Sequence, residues 1–450
     1  MTDQTSTITR IDLEVLEVLS FFDDINLINL SELDVAELED VTISLTKNFV
    51  ILTTCFKAGS VDILKFKEHS LNCIKYLKVI CSKGSSFQNL IANTNGMLES
   101  VKIILESPCE EDIKLRSFQL LANLCVQNDR AQKKLWTELN ILIMEKFNSN
   151  ETAYINVAAM IIYNILLHNS EIIDKNLVLT DSLSHYDKFL KEESPKVPDY
   201  FHILLEYFIC EFDEVVVAYE NLEDDLKKIF LYYLHDHVEH ESNPVVSKPL
   251  LNHISLEFKK KSDCILKTVT NYVDNIDPEF VVILLDIISS ATTHEKYLNI
   301  LKDDRSLFLN IGCLLQALHK LGKKSDNLFT PIQNLEALTP SSSVSSDFEK
   351  EISFAFKSKL VKSLANLSYR NKKNQELARE MEIMHSIFEC TTADARNPLI
   401  KEWSILAIRN LCEDNAENQE IVRSLTKVGN AENPVLSDFK LDDGIFRIIK

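Results

Sequence analysis

The sequence predicts an all-α protein: an α-solenoid, a right-handed superhelix of armadillo-like repeats. Three observations predict it. Apolar residues recur at helical spacing along most of the 450 residues, and sustained strand alternation is hard to find. Glycine and proline are scarce, 7 and 10 in all, which disfavours collagen-like repeats, turn-dense β sandwiches and Gly-rich phosphate loops. An asparagine-based pattern also returns at intervals of 44, 41 and 44 residues, the period of armadillo and HEAT units. At about 40 residues per unit the chain holds about ten units, some degenerate.

The helical stripes are read first. Leu13, Leu16, Val18 and Leu19 begin one; Leu307, Ile311, Leu314, Leu315 and Leu318 form another. The repeat is clearest in Leu120 to Gln132, Ser363 to Gln375 and Ala407 to Gln419. In each, a helix Asn (Asn123, Asn366, Asn410) is followed by a second Asn (Asn128, Asn371, Asn415) and then a Gln (Gln132, Gln375, Gln419). Asn164 and Asn169 repeat the first half. A weaker copy has Val79, Gly84 and Gln88 in these places, and Asp286 with Ala291 marks a candidate degenerate copy. The positions two before and one after the first Asn are apolar in the Asn-bearing copies: Leu121 and Leu124, Ile162 and Ile165, Leu364 and Leu367, Ile408 and Leu411. They are the expected buried stripe. The second Asn, or Gly84, is expected to end its helix in the left-handed conformation, which Asn and Gly tolerate. One unit cannot bury its own face, so stacking is required.

Three segments follow from composition. Residues 1–323 are an acidic helical array; 324–351 are a Ser/Pro-rich loop or linker; 352–450 are a C-terminal domain of two clear repeats. The linker holds Thr330-Pro331, Thr339-Pro340 and a serine run, making Thr330 and Thr339 candidate phosphorylation sites. The net charge is −20. Residues 1–50 contribute −9, residues 351–450 are neutral, and Glu206 to Asp225 hold eight acids and no base. Such a chain repels phosphate backbones, so nucleic acid is not an expected partner, whereas a basic protein segment is compatible. The favoured reading of the acids is simply solvated helix faces.

The N-terminus lacks the basic and apolar regions of a secretory signal, and no apolar run approaches the ~20 residues of a membrane span. The ten cysteines form no CxxC pair; Cys125, Cys313 and Cys412 sit among apolar neighbours and read as buried, reduced thiols. A cytoplasmic location is expected.

Residues 352–450 carry two distinctive stretches, Leu360 to Gln375 and Asp394 to Gln419. They contain Asn397-Pro398, Glu402-Trp403, Ile408 to Leu411 and Glu417 to Gln419 in that order. These resemble the C-terminal domain of the ataxin-10 family. The resemblance implies an armadillo-type, non-enzymatic, cytoplasmic protein with a role in the regulation of cytokinesis. A fungal member of that family carries a copper-transport name, and the Lys- and Asn-rich composition fits a fungal source.

Among candidate binding residues, Asn123, Asn164, Asn366 and Asn410 are the sharpest. In armadillo proteins such an Asn faces the concave groove and bonds an extended peptide's backbone, because an amide both donates and accepts. The favoured alternative is that each bonds neighbouring backbone and docks its repeat. Nuclear-import armadillo proteins place Trp four residues before this Asn; here those positions hold Gln119, Met160, Lys362 and Leu406, so the Trp–Asn array is absent. Trp403 and Arg409 suit an interface hot spot, with packing of Trp403 between repeats as the favoured alternative. His235 to His240 and Met381 to Met384 look metal-like but lack HExxH or CxxC spacing, and read as a polar helix end and core spacing. No nucleophile elbow, P-loop, kinase signature or GxGxxG is found.

No enzyme activity, cofactor or metal is expected. The expected function is an interaction scaffold for other proteins, with self-association left open. The alternative is a transport protein, either a nuclear import adaptor for basic peptides or a copper-handling protein.

Overall fold

The computed structural model describes residues 17–22, 29, 30, 32–192, 196–242, 244–268, 276–324, 327–332, 351–424, 439–442 and 445–448. The chain forms two compact units, Met1–Tyr233 with Val245–Leu250 and Leu234–Pro244 with Leu251–Lys450. Nearly all the described secondary structure is helical.

In the first unit four helices start where a short polar residue precedes an apolar stripe. Val35–Lys57 opens with a capping box: Asp34 accepts from the Glu37 backbone at 2.9 Å and Glu37 from the Asp34 backbone at 3.0 Å. Asp62, Asn128 and Asp174 likewise accept backbone N–H groups at the starts of Ile63–Cys81, Asp129–Phe147 and Lys175–Leu190. The helices at repeat spacing then stack in a row. Ile63–Cys81 packs on Glu111–Cys125, that on Thr152–Asn169, and that on Asp199–Cys210. The apolar stripe explains the stacking: Leu121, Leu124, Ile162 and Ile165 are fully buried, each contributing about 1.5–3 kcal/mol of burial.

The second unit repeats the row. Pro278–Ala291 packs on Phe356–Ser368, which packs on Ile400–Cys412. The weak copy around Asp286 is therefore a helix in the same stacking position, and Asp286 pairs with Lys359 at 2.5 Å. Leu364, Leu367 and Leu411 are buried, while Ile408 is half-buried. Arg305–Lys324 lies against Phe356–Ser368 and Ile383–Glu389, with Leu307, Ile311, Leu314, Leu315 and Leu318 all buried. Two of the seven glycines sit inside this helix because the neighbours come close. A Cβ on Gly312 would overlap Ile383 Cδ1, and one on Gly322 would lie 2.5 Å from the Phe329 carbonyl oxygen.

The start of the Ser/Pro-rich segment is docked. Phe329 is 1% exposed, and its carbonyl accepts from Lys357 Nζ at 3.1 Å. Lys357 is itself buried and pairs with Asp394 at 3.2 Å. Asp394 Oδ1 accepts from the Ile332 and Arg396 backbones, and Oδ2 from Asn397 Nδ2 at 2.8 Å. Asn397 Oδ1 accepts from the backbone N–H of Lys357 and Ser358, capping Phe356–Ser368. Residues 333–350 lie outside the described residues.

Three expectations change. The left-handed residue is the one before the second Asn: Gln127, Arg370 and Asp414 have φ of 51°, 49° and 51°. Asn128 and Asn371 instead N-cap the following helix, with φ of −139° and −121°. Cys313 is exposed, since it lies on the solvent side of its amphipathic helix, whereas Cys125 is buried and Cys412 half-buried; all ten cysteines are free. Finally, Phe439–Asp442 and Ile445–Ile448 form an antiparallel hairpin with Phe439 opposite Ile448. The intervening sequence, Asp-Gly, favours two-residue hairpin connections.

Candidate functional site

The repeated amides form a lock between successive repeats. Gln88 Nε2 donates to the Asn123 and Val126 carbonyls at 3.0 and 3.1 Å, and its Oε1 accepts from Asn128 at 3.1 Å. One repeat on, Gln132 donates to the Cys125 carbonyl at 2.8 Å and accepts from Asn169 at 2.5 Å. In the second unit Gln375 donates to the Asn410 carbonyl at 2.9 Å and accepts from Asn415 at 3.2 Å. Asn374 and Asn418, absent from the predicted set, are fully buried. They reach back to the Leu367 and Leu411 carbonyls and across to the Lys302 and Gln375 carbonyls. Apart from that of Gln375, which lies inside its helix, these are carbonyls that helix ends leave without an intrahelical partner. The signal was present as the shared Asn-x-x-Asn-Gln spacing of Asn371 to Gln375 and Asn415 to Gln419.

Beside the lock lie grooves. One in the second unit, about 730 Å³, is lined by Asn366, Asn410, Arg370, Arg409 and Lys302 among others. Three of the residues singled out from sequence, Asn366, Arg409 and Asn410, thus share one surface. Asn410 is 5% exposed and donates to the Ala365 carbonyl at 2.9 Å, tying its repeat to the previous one. Asn366 is half-buried and donates to Thr292 Oγ1 at 3.2 Å. Arg409 is exposed. In the first unit a smaller groove of about 370 Å³ includes Asn123, Gln88, Gln127 and Lys78. Burial, followed by the nearby Arg116 charge, lowers the Lys78 pKa, and Lys78 Nζ donates to Gln119 at 2.8 Å.

The other predicted residues fall elsewhere. Asn164 donates to the Met160 carbonyl of its own helix at 2.8 Å. Trp403 is half-buried with Lys362 Nζ 5.4 Å from its ring centroid, a cation–π contact between neighbouring repeats. Burial holds the Lys362 ammonium below its ordinary pKa, with Glu239 opposing. Thr330 is half-buried, and its hydroxyl accepts from the Asn327 backbone at 3.0 Å. Thr339 lies outside the described residues. His235 pairs with Glu239 at 3.2 Å and His240 with Asp236 at 3.6 Å, while His237 is buried. Met384 is buried and Met381 is 43% exposed, so the two do not share one environment. Among the described residues, no helix is long and apolar enough to cross a membrane.

Comparison with known proteins finds one short domain match and longer similarities. The Spinocerebellar ataxia type 10 protein domain matches residues 356–445, which build the last two repeats and the first strand of the hairpin. Ataxin-10 of Bos taurus is 26% identical over 386 residues, covering 81% of this chain and 77% of its own. The Ataxin-10 homolog of Dictyostelium discoideum is 48% identical over 90 residues, 20% of this chain and 15% of its own. An engineered protein of known structure covers 88% of this chain and 98% of its own at 12% identity, with a TM-score of 0.35, too loose a superposition to bear on the fold. The domain match covers the amide lock of the second unit, and the chain is similar to Ataxin-10 over four-fifths of its sequence.

Proposed function

We propose that this protein is a non-enzymatic, cytoplasmic scaffold for other proteins that acts in the regulation of cytokinesis. One observation carries the binding part: the groove where Asn366, Arg409 and Asn410 come together on a packed helical frame. An amide offers two donors and an acceptor, so Asn366 can hold Thr292 and still bond a ligand's backbone. The frame is ordered before binding, which limits the entropy lost on association. Similarity to the Ataxin-10 proteins supports the scaffold role, and the link to cytokinesis rests on that similarity alone. The cationic groove residues oppose a basic import signal there, and the separate environments of Met381 and Met384 lend copper handling no support.

The test is affinity capture from dividing cells with the full chain and with Asn366→Ala/Arg409→Ala. The double variant is expected to lose partners while melting like the parent, and to leave depleted cells multinucleate when it replaces the parent. Unchanged partners together with normal division would refute this reading.

A further inference from the structure

We infer that the groove between Thr292 and Arg409 takes an acidic, extended segment of a partner protein. The inference rests on the scaffold reading above and adds the chemistry of the partner. The sign of the lining is the first argument. Lys302, Arg370 and Arg409 line the groove with one acid, Glu295, and Glu413 pairs with Arg370 beside it, which leaves a cationic excess in a chain whose net charge is −20. A locally cationic groove on an acidic molecule gives electrostatic complementarity to a carboxylate-bearing ligand and steers its approach.

The second argument is how the cations are held. Arg370 occupies the left-handed region at φ 49°, which costs a non-glycine residue about 1 kcal/mol. Glycine would avoid that cost, yet the position carries a guanidinium, set 5.1 Å from the Tyr369 ring and 3.9 Å from Glu413. The equivalent residue in the first unit, Gln127, has the same conformation and also lines a groove. Lys302 is fixed by its backbone carbonyl, which accepts from both Asn371 and Asn374.

The third argument selects a peptide over a polyphosphate. Nucleic acid presents charge continuously and would meet the acidic remainder of the chain. A peptide presents backbone amides that Asn366 can bond, and apolar side chains that Tyr369, 41% exposed, and Leu406 can cover. Arginines pair with carboxylates in a bidentate fork, which favours Glu and Asp as the recognised groups.

Fluorescence anisotropy of the full chain with a labelled Glu-rich peptide bearing one Phe tests this. A Lys-rich peptide bearing one Phe and a single-stranded oligonucleotide serve as competing probes. The Glu-rich peptide is expected to bind, more weakly as salt rises. Arg370→Gly is expected to weaken binding about tenfold without lowering the melting temperature, because the backbone strain is relieved as the charge is lost. Arg409→Ala should weaken it similarly. The inference is overturned if the Glu-rich peptide does not bind at low salt, if neither variant weakens it, or if either competing probe binds more tightly. If the peptide fails while partner capture still depends on Asn366 and Arg409, the acidic assignment falls and the scaffold reading stands; if capture is also independent of them, both fall.

Discussion

Gln375 shows what one buried amide contributes. It is 2% exposed, donates to the Asn410 carbonyl, accepts from Asn415, and offers its own backbone carbonyl to Asn418 at 3.0 Å. Gln375→Leu keeps the volume roughly constant but strands the Asn415 amide and the Asn410 carbonyl. The expected loss is about 2–3 kcal/mol, read as a lower urea midpoint with unchanged slope. Gln419 sits at the end of the described repeats and donates to the Cys412 carbonyl at 2.9 Å. Gln419→Leu should cost less, about 1 kcal/mol; equal losses would mean that the inter-repeat bond adds nothing. Sequence reasoning could see the Asn and Gln spacing but not this job. Asn128 and Gln88 are 40 residues apart, and only the fold brings them within 3.1 Å. Local propensity also misassigned the second Asn. Asn suits both the left-handed conformation and the N-cap, and the cap prevails because it lets one side chain serve its helix and the neighbouring repeat together. The strain then falls on Gln127, Arg370 and Asp414.

At the scale of elements, the helix Arg305–Lys324 was legible as a stripe, but its two glycines were not, because their role depends on what lies opposite. Helix propensity alone predicts that Gly→Ala stabilises by about 1 kcal/mol at either position. The packing predicts the reverse at Gly322, where the Cβ would meet the Phe329 backbone, whose carbonyl also serves Lys357. Gly322→Ala is expected to cost about 2 kcal/mol, and Gly312→Ala less, since Ile383 presents a side-chain methyl; thermal melts in which Gly322→Ala is the more stable would contradict this. The same helix begins at Asp304, which reaches the Lys248–Lys261 helix through Lys259 at 2.6 Å and Ser255 at 3.0 Å. Burial by itself would raise the Asp304 pKa. Hydrogen bonds from Lys259, Ser306, the Leu307 backbone and Ser255 outweigh it and hold the carboxyl at about 2. A depressed folded pKa means stability that is present above the unfolded value of about 4 and is lost as pH falls through about 2. Because the carboxylate is partly solvated, the contribution is about 1 kcal/mol. Asp304→Asn should therefore be less stable than the parent at neutral pH, with the gap closing in acid. A gap independent of pH would assign the loss to packing. The hairpin was missed for a different reason: two four-residue strands are too short for alternation to stand out after a long helical array.

For the whole molecule, repeat stacking makes stability local. Each repeat contacts its neighbours, so free energy is a sum of repeat and interface terms and cooperativity weakens with length. The chain has two tryptophans, Trp136 on the Asp129–Phe147 helix of the first unit and Trp403 on the Ile400–Cys412 helix of the second. Trp403→Phe and Trp136→Phe each leave one reporter, and Phe keeps enough apolar volume to preserve the half-buried packing. Gln375→Leu removes a bond between repeats of the second unit, beside the helix that carries Trp403. In the Trp136→Phe background it is expected to lower the urea midpoint seen by Trp403 by the full effect. In the Trp403→Phe background the midpoint seen by Trp136 should move by less than half as much, because that reporter's nearest lock runs through Gln132 and Asn169. If both reporters shift equally, the chain unfolds as one cooperative block, and the nearest-neighbour description that the repeat pattern implies does not hold for it.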